Sequence, residues 1–419
     1  MSKKPNIQIP LDLPDIDILE TEQTPTGDYI ITVQSTLNSA ECYKCGQEID
    51  QFHGYSRPIT LRHLSILGRK VWIRIRPKRY QCSDCDNHPT TTQRLSWYEP
   101  NSPHTRAYND YLMKCLINST LSDVSRKEDI GYDAVTGALT RCLEREVNWE
   151  AFAALPIIGL DEIALRKGKR DFVLIVSAQQ PEGVAILAVL PDRQKSTVRA
   201  FLETIPARLR ATLDTVCTDM WEGYINATRE FEAAHDDVTL EIVVDRFHVA
   251  QAYRRAVDKL RKQVQRRLKQ ELSAEAYAEL KGVLTVFRKN HADLRDDQRQ
   301  QLRLFLDYAP DLKQAYTLRE ELTALFEMKL SPEEALRRLD AWQAKVERSG
   351  LTCFNAFLTT LVNWREEIVN YFSKRLSSGF VEGLNNKIKT IKRRCYGITK
   401  VGHLFQRILL DLTGFVRFT

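Results

Sequence analysis

Two acidic residues end apolar segments in the middle of the chain. Asp161 ends Ile157-Ile-Gly-Leu-Asp161, and Asp219 ends Val216-Cys-Thr-Asp219. A carboxylate at the mouth of a buried strand costs desolvation free energy unless it is paired or bound to a metal ion. On neighbouring strands, the two acids could share hard divalent cations. Taken alone, each acid is more often a helix N-cap or a salt-bridged strand end.

A third acidic residue, Glu382, lies in a C-terminal segment with helical periodicity. The apolar stripe of that segment consists of Val381, Leu384, Ile388 and Ile391. Glu382 belongs to a separate polar stripe, one turn before Asn386. Residues 378–400 carry six cations and this single acid, which is consistent with a metal ligand beside bound phosphate. A helical ion pair is poorly supported, because position 386 is asparagine.

Four cysteines form two C-x-x-C pairs with 36 residues between the pairs. They are Cys42, Cys45, Cys82 and Cys85. Two close pairs of thiolates match a tetrahedral structural zinc site, which leaves no open position for catalysis. The alternative is that the cysteines are reduced surface residues. His53 or His88 could also replace one ligand.

A basic strand is predicted inside this cysteine-rich module. Six cations and no acid occur from Arg69 to Arg79, and the apolar residues Val71, Ile73 and Ile75 alternate with cations. One face of the strand is therefore apolar and the other basic, which suits contacts with nucleic-acid phosphates. The candidate contacts are Arg69, Lys70, Arg74 and Arg76. A solvated charged strand is the alternative.

Two short helices are predicted after the cysteine module, over Leu121–Asp129 and Ala134–Glu146, with Asp133 as a possible cap of the second. The break between them contains Gly131, and the pair has helix-turn-helix dimensions. Arg141 would lie on the exposed side of the second helix. Most short helix pairs bind nothing, but the position beside a basic zinc module favours DNA binding.

The composition indicates a multidomain, globular and mildly basic protein. The chain has 419 residues, 28% of them charged, and a formal net charge of +6. We expect no membrane span and no signal peptide, and hence a cytoplasmic protein with reduced cysteines. Strands alternate with helices from residue 157 to 245, and residues 247–371 show only amphipathic helical patterns.

Four stretches resemble the ISL3 family of insertion-sequence transposases, and the likeness covers nearly the whole chain. They are Gly159-Leu-Asp-Glu162, Thr218-Asp-Met-Trp-Glu-Gly-Tyr224, Val244-Asp-Arg-Phe-His-Val249 and Ser378-Gly-Phe-Val-Glu-Gly-Leu-Asn-Asn-Lys-Ile-Lys-Thr-Ile-Lys392. The resemblance implies a multidomain α+β chain with an RNase H-like α/β catalytic domain that an all-helical insertion interrupts. The expected order is an N-terminal lead (1–37), a zinc ribbon (38–95), a helix-turn-helix (100–148), a first catalytic part (152–250), the insertion (251–371) and a last catalytic part (372–419).

The resemblance also implies a DDE-type site in which Asp161, Asp219 and Glu382 hold two Mg²⁺ or Mn²⁺ ions around a scissile phosphate. Asp245 and His248 match an auxiliary D-x-x-H signature, although a strand-end acid and a packed histidine explain them equally well. Basic residues of the last helix would hold DNA phosphates, namely Lys387, Lys389, Lys392, Arg393 and Arg394. The implied partners are the terminal inverted repeats of the element, target DNA and a second copy of the chain.

Three other functions fit parts of the pattern. A catalytically silent, transposase-derived regulator would need no carboxylate triad, so the presence of all three acids counts against it. A structure-specific nuclease of the same fold would cut DNA without joining ends. A zinc-scaffolded interaction protein would show no salt-dependent affinity for DNA.

Overall fold

The computed structural model describes residues 10–165, 172–181, 183–376, 379–395, 398 and 400–418, while the side chains of residues 379–382 lie outside this description. The chain divides into two compact units. The first unit comprises Met1–Arg145, Ile391–Tyr396 and Gly402–Thr419, and the second comprises Glu146–Thr390 and Gly397–Val401.

The N-terminal part of the chain forms nine strands followed by three helices. The strands are β1 (Ile16–Gln23), β2 (Tyr29–Ser35), β3 (Ala40–Glu41), β4 (Glu48–Ile49), β5 (Gln51–Tyr55), β6 (Ile59–Ile66), β7 (Arg69–Ile75), β8 (Lys78–Gln81) and β9 (Thr90–Thr92). The helices are α1 (Arg106–Leu116), α2 (Leu121–Glu128) and α3 (Tyr132–Cys142).

The rest of the chain adds five strands and fourteen α-helices among the described residues. The strands and the helices between them are β10 (Ile157–Ala164), β11 (Phe172–Gln180), β12 (Gly183–Leu190), α4 (Lys195–Leu202), α5 (Ala207–Arg210), β13 (Thr215–Thr218), α6 (Glu222–Ala233) and β14 (Glu241–Val244). The helices that follow are α7 (Arg246–Glu271), α8 (Ala274–Glu279), α9 (Val283–Arg288), α10 (Asp296–Asp307), α11 (Pro310–Glu327), α12 (Pro332–Ser349), α13 (Asn355–Asn363), α14 (Arg365–Val369), α15 (Tyr371–Lys374), α16 (Gly379–Arg394) and α17 (Val401–Phe418).

A four-stranded sheet with the order β1-β2-β7-β6 lies in the first unit. Strands β2 and β7 are parallel, and the other neighbours are antiparallel. Val71, Ile73 and Ile75 are fully buried, which confirms the predicted apolar face of β7. Because β1 and β2 pair into this sheet, the predicted boundary at residue 37 falls between strands that share one core.

Helices α1–α3 and α17 share a core in the first unit. The side chains of Thr105 and Thr120 cap α1 and α2 by accepting backbone N–H groups. The N-cap of α3 is Gly131, not the predicted Asp133, because the helix begins earlier at Tyr132. We expected all of residues 372–419 to complete the catalytic domain, but Leu410 of α17 packs against the first-unit helices, since the apolar face of α17 needs a partner.

The second unit is built on a five-stranded mixed sheet with the order β12-β11-β10-β13-β14. The first three strands are antiparallel neighbours, whereas β10, β13 and β14 run parallel. One apolar cluster joins the sheet to α4 and α6, and a second joins β13 and β14 to the helical segment 246–372. The predicted strands at 172–177, 184–190 and 242–245 and the all-helical character of 247–371 are confirmed. The strand predicted at 157–161 is present, but it does not end at Asp161, because its pairing with β11 continues to Ala164. Within the described residues, no helix has the length and apolarity that a membrane span requires.

A buried polar network ties α17 to the end of α1. The guanidinium of Arg407 donates to the backbone oxygens of Leu116 (3.1 Å) and Ser119 (2.8 Å) and lies 3.8 Å from the carboxylate of Asp411. Asp411 Oδ1 also accepts the backbone N–H of Asn118 at 3.1 Å. Arg407 thus satisfies carbonyl oxygens that the end of α1 leaves without helical partners.

We expect Arg407→Met to lower the free energy of unfolding of the first unit by about 2–4 kcal/mol, because it leaves two buried carbonyl oxygens without their donor and removes one of the two cations beside the buried Asp411, which keeps its pair with Arg394. Differential scanning calorimetry of the full chain would show an earlier first-unit transition. Arg417→Met, which removes an exposed pair with Glu144, is the control, with an expected loss of about 1 kcal/mol or less. Equal transition temperatures for the two variants would contradict the assignment.

Candidate functional site

The register of the second-unit sheet brings three acidic residues into one row. Gly159 of β10 pairs with Cys217 of β13, so two residues further along these parallel strands Asp161 lies beside Asp219. Thr218 pairs with Val244 of β14, so Asp219 in turn lies beside Asp245. The backbone N–H of Asp245 donates to the oxygen of Thr218 at 2.9 Å, which continues the pairing to this point. Parallel strands in register present such residues on the same side of the sheet.

Burial shifts the proton affinity of the first two acids. Burial raises the pKa of Asp161, and the backbone N–H of Glu162, which donates to Asp161 Oδ1 at 2.6 Å, opposes that shift. Burial raises the pKa of Asp219 to about 7, the positive charge of His248 opposes the shift, and the charges of Glu162 and Asp161 add to it. A divalent cation binds the ionised carboxylates, so at this site it would compete with a proton.

A buried oxygen of Asp219 has no hydrogen-bond partner among the described residues. The neighbouring hydroxyl of Thr218 is in the same condition. Buried polar atoms without partners are rare, because each costs about 1–3 kcal/mol. A hard cation that binds carboxylate oxygen would satisfy the Asp219 oxygen, so the residues at this position fit Mg²⁺ or Mn²⁺.

Asp245 is fixed in place as a helix cap. Its Oδ1 accepts the backbone N–H of Phe247 at 2.9 Å, at the start of α7. His248 lies on the first turn of the same helix, with Nε2 3.9 Å from Asp245 Oδ2, and its positive charge lowers the pKa of both Asp161 and Asp219. The predicted auxiliary pair therefore lies next to the two acids, with Asp245 occupied by its capping role.

Helix α16 contributes Asn385, a residue that sequence reasoning missed. Its Nδ2 donates to Asp161 Oδ2, while its Oδ1 is buried and has no partner within the described part of the chain. Leu384, Ile388 and Ile391 are buried as predicted, and Asn386, which we placed on the functional face, is exposed. Asn385 and Asn386 lie three and four residues after Glu382, so helical periodicity alone did not distinguish them.

The predicted third acid, Glu382, lies in α16, but its side chain is outside the described residues. Among the residues that are described, the four cysteines of the first unit are the only group of three or more cysteine, histidine, aspartate or glutamate side chains close enough to share one metal ion. The described side chains of Asp161, Asp219 and Asp245 do not form such a group by themselves.

A second polar cluster borders the acids and was also missed. Glu162 Oε1 accepts the hydroxyl of Tyr224 at 2.8 Å and pairs with Arg193 at 3.4 Å. The guanidinium of Arg193 lies 4.0 Å from the ring centre of Trp221, in cation–π contact. Trp221 and Tyr224 both belong to the motif after Asp219, and that motif was the available signal for this cluster.

The four cysteines come together at the turns of two hairpins in the first unit. Cys42 and Cys45 lie between β3 and β4, and Cys82 and Cys85 lie between β8 and β9. All four Sγ atoms lie within 4.8 Å of one another, and Cys45 Sγ is 3.9 Å from Cys82 Sγ. Tetrahedral zinc–thiolate geometry gives sulfur separations of roughly 3.8 Å, so the cluster fits one zinc ion.

His53 and His88, which we considered as substitute zinc ligands, do not belong to the cysteine cluster. His88 Nδ1 contacts the backbone oxygen of Cys82 at 3.2 Å. Backbone N–H groups of Cys45 and Lys44 lower the pKa of Cys42 to about 6, which favours the thiolate that binds zinc.

The predicted phosphate contacts differ in how freely their charge is available. Lys70 pairs with Asp129 at 2.5 Å, and Arg74 lies 3.8 Å from Glu22. Arg394 pairs with the buried Asp411, so its charge is held inside the first unit. The other candidates are exposed or half-buried, namely Arg69, Arg76, Arg141, Lys387, Lys389, Lys392 and Arg393. Lys389 lies near enough to Asp161 to lower the pKa of that acid.

Two protein-family models match this chain. Residues 158–408, more than half of the chain, match the family model of the ISL3 transposase domain, which is described as a transposase. Residues 39–85 match the zinc finger of the transposases of IS204, IS1001, IS1096 and IS1165. This second match contains all four clustered cysteines.

Two curated relatives extend the likeness to nearly the whole chain. The transposase for insertion sequence element IS1001 of Bordetella parapertussis is 27% identical over 406 residues, which cover 96% of both chains. The transposase for IS1557 of Mycobacterium tuberculosis is 24% identical over 427 residues, covering 95% of this chain and 92% of the relative. The chain belongs to the ISL3 family of insertion-sequence transposases.

Proposed function

We propose that this transposase binds the terminal inverted repeats of its insertion sequence, cleaves DNA there and joins the freed ends to target DNA by DDE chemistry. Asp161, Asp219 and Glu382 are the metal-binding carboxylates in this proposal. The observation that carries it is the row of acids across β10 and β13, with a buried, unpartnered oxygen on Asp219.

The strand order supports an RNase H-like catalytic domain. Three antiparallel strands are followed by two strands parallel to the first, and the first and fourth strands lie side by side. This arrangement brings Asp161, which lies within β10, beside Asp219, which lies 58 residues later and directly follows the carboxyl end of β13. Ligands of open α/β sheets bind at such carboxyl ends of parallel strands.

Helix α16 supports Glu382 as the third carboxylate. Asn385 on this helix contacts Asp161, and position 382 precedes it by three residues. Residues three apart on a helix lie on the same side, so a helix that brings Asn385 to Asp161 suits a further ligand at position 382. The match of the surrounding motif to the family adds to this argument.

Bound magnesium would lower the pKa of an attacking water and stabilise the leaving 3′ oxygen. The carboxylates hold the ions, and Asn385 orients Asp161 through the hydrogen bond to Oδ2. Lys389 is placed to offset phosphate charge beside the acids, and His248 and Asp245 support their arrangement. In strand transfer the freed 3′-hydroxyl oxygen bonds to a target phosphorus, while the target's 3′ oxygen leaves with a proton.

The first unit suits recognition of the element's ends. Helices α2 and α3 are joined by a short turn in which Asp129 adopts a left-handed conformation, and the exposed Arg141 lies in the last turn of α3. This helical pair follows a zinc ribbon with exposed cations at Arg69 and Arg76. We further propose that two copies of the chain act together, because transposition joins two ends.

We expect Asp161→Asn, Asp219→Asn and Glu382→Gln each to reduce cleavage and strand transfer by about 1,000-fold or more, because a neutral amide binds Mg²⁺ poorly. The assay would combine the purified protein, a linear duplex carrying the element's terminal repeat, and Mg²⁺ or Mn²⁺. Affinity for the duplex should stay within about threefold of wild type, since these acids bind metal and not DNA.

Asp236→Asn is the matched control, because Asp236 is exposed and precedes β14, whereas Asp245 of the acid row follows that strand. Cleavage by Asp161→Asn at the wild-type rate would refute the site. Nicking without any strand transfer by the wild-type protein would instead favour a nuclease, and metal-independent DNA binding without cleavage would favour a silent regulator.

Asn385→Ala should slow cleavage by about 10- to 100-fold and raise the Mg²⁺ concentration needed for half-maximal rate, because Asp161 loses the group that orients it. Asn386→Ala, an exposed neighbour on the same helix, should leave both quantities unchanged. A rate loss at saturating Mg²⁺ with no change in metal dependence would argue against a positioning role for Asn385.

Cys82→Ser should remove one zinc ion per chain and lower the unfolding temperature of the first unit, because the four thiolates join two otherwise small hairpins. Zinc would be counted by inductively coupled plasma mass spectrometry, and unfolding followed by calorimetry. Cys353→Ser, at a half-buried cysteine of the second unit, should change neither. A wild-type chain without zinc would contradict the assignment.

A further inference from the structure

Helix α7 carries a row of exposed cations that the catalytic proposal does not use. The row consists of Arg255, Lys259, Lys262, Arg266 and Lys269, all of them exposed. The spacing alternates between four and three residues, so these side chains follow one face of the helix. The buried residues of α7, including Tyr253, Val257 and Val264, occupy the opposite face.

Most of this row has no acidic partner. Within the described part of the chain, Arg255, Lys259, Arg266 and Lys269 form neither an ion pair nor a side-chain hydrogen bond. Lys262 is the exception and lies 3.4 Å from Asp258. Both acids of α7 are already paired, Asp258 with Arg261 and Glu271 with Arg267.

Unpaired cations are not the rule in this helical segment. Most exposed cations of the neighbouring helices α10, α11 and α12 pair with acids, for example Arg299 with Asp296 and Lys313 with Asp307. Among the described residues of these helices, the exceptions are Arg303 and Arg348. The concentration of unneutralised positive charge on α7 is therefore local. It repels itself, and a polyanion lying along the helix would relieve that repulsion.

The row of cations on α7 extends away from the acid row of the sheet. DNA bound along these cations would therefore lead to the acids. Helix α7 begins directly after Asp245, at the row of acids on the sheet. At 1.5 Å per residue, Arg255 lies about 15 Å along the helix from Asp245, and the row continues for roughly 21 Å to Lys269. A groove of about 630 Å³ runs beside it, lined by Arg255 and Lys259 on one side and by residues 350–357 on the other, with Asp311 as its one acidic residue among those described.

We propose that this face of α7 binds the phosphate backbone of duplex DNA and extends the DNA-binding surface away from the catalytic acids. Lysines and arginines without base-reading geometry bind phosphates regardless of sequence. The site rests on the proposed function, since it takes DNA as its ligand, but it assigns to the helical segment a contact that the catalytic residues do not require.

The test replaces Arg255, Lys259, Arg266 and Lys269 together by glutamine. Glutamine keeps helix propensity, and the positions are exposed, so the fold is retained and circular dichroism with a thermal scan verifies this. Binding to a 40-base-pair duplex of arbitrary sequence is measured by fluorescence anisotropy from 50 to 200 mM KCl. The matched control replaces two arginines and two lysines that are paired, Arg299, Lys313, Arg337 and Lys345, with the same loss of charge.

We expect the α7 variant to bind the duplex about 10- to 100-fold more weakly at 50 mM KCl, with a salt-dependence slope smaller by roughly 2–3, as the loss of about three phosphate contacts requires. The control should stay within about threefold of wild type with the same slope. Equal affinity and slope for wild type and the α7 variant overturn the proposal, as do equal losses in the two variants, which would show a mere effect of net charge.

The outcome is separable from that of the catalytic proposal. A protein that cleaves and joins DNA while its α7 variant binds the duplex unchanged retains the proposed function and loses this inference. A wild-type protein without salt-dependent affinity for any duplex refutes both.

Discussion

The structure of the second unit depends on carboxylates that the sheet holds together where water is scarce. Parallel pairing of β10, β13 and β14 sets Asp161, Asp219 and Asp245 in one row. Burial is the main cause of the raised pKa of Asp219, and the negative charges of Glu162 and Asp161 add to it. In the proposed function, a divalent cation would compete with protons for the carboxylates of this row.

The surrounding residues supply hydrogen bonds to the three acids unequally. Asp245 is occupied as the N-cap of α7, and Asn385 contacts Asp161. Asp219 keeps a buried oxygen without a partner among the described residues. The fold thus supplies hydrogen bonds to Asp245 and Asp161 but leaves one buried oxygen of Asp219 without a partner among the described residues. Of the three carboxylates, Asp219 is therefore the one that most needs a cation.

The zinc cluster meets a different physical need. Strands β3, β4, β8 and β9 have two to four residues each, too few to bury a core of their own. Four thiolates on two turns replace that missing core with metal–ligand bonds. The first unit thus combines a metal-stabilised hairpin pair with a conventional apolar core between α1–α3 and α17.

The sequence by itself determined the family, the zinc ligands, the basic and apolar faces of β7, and the presence of the strands that carry Asp161 and precede Asp219, because each is a local pattern of residue types. It did not determine that β1 and β2 join the sheet of β7, that α17 packs with α1–α3, or that Asn385 rather than Asn386 reaches Asp161. Only the tertiary structure decided these points, since strand register, the partner of an apolar helix face and the rotation of a helix about its axis depend on packing between segments that are distant in the sequence.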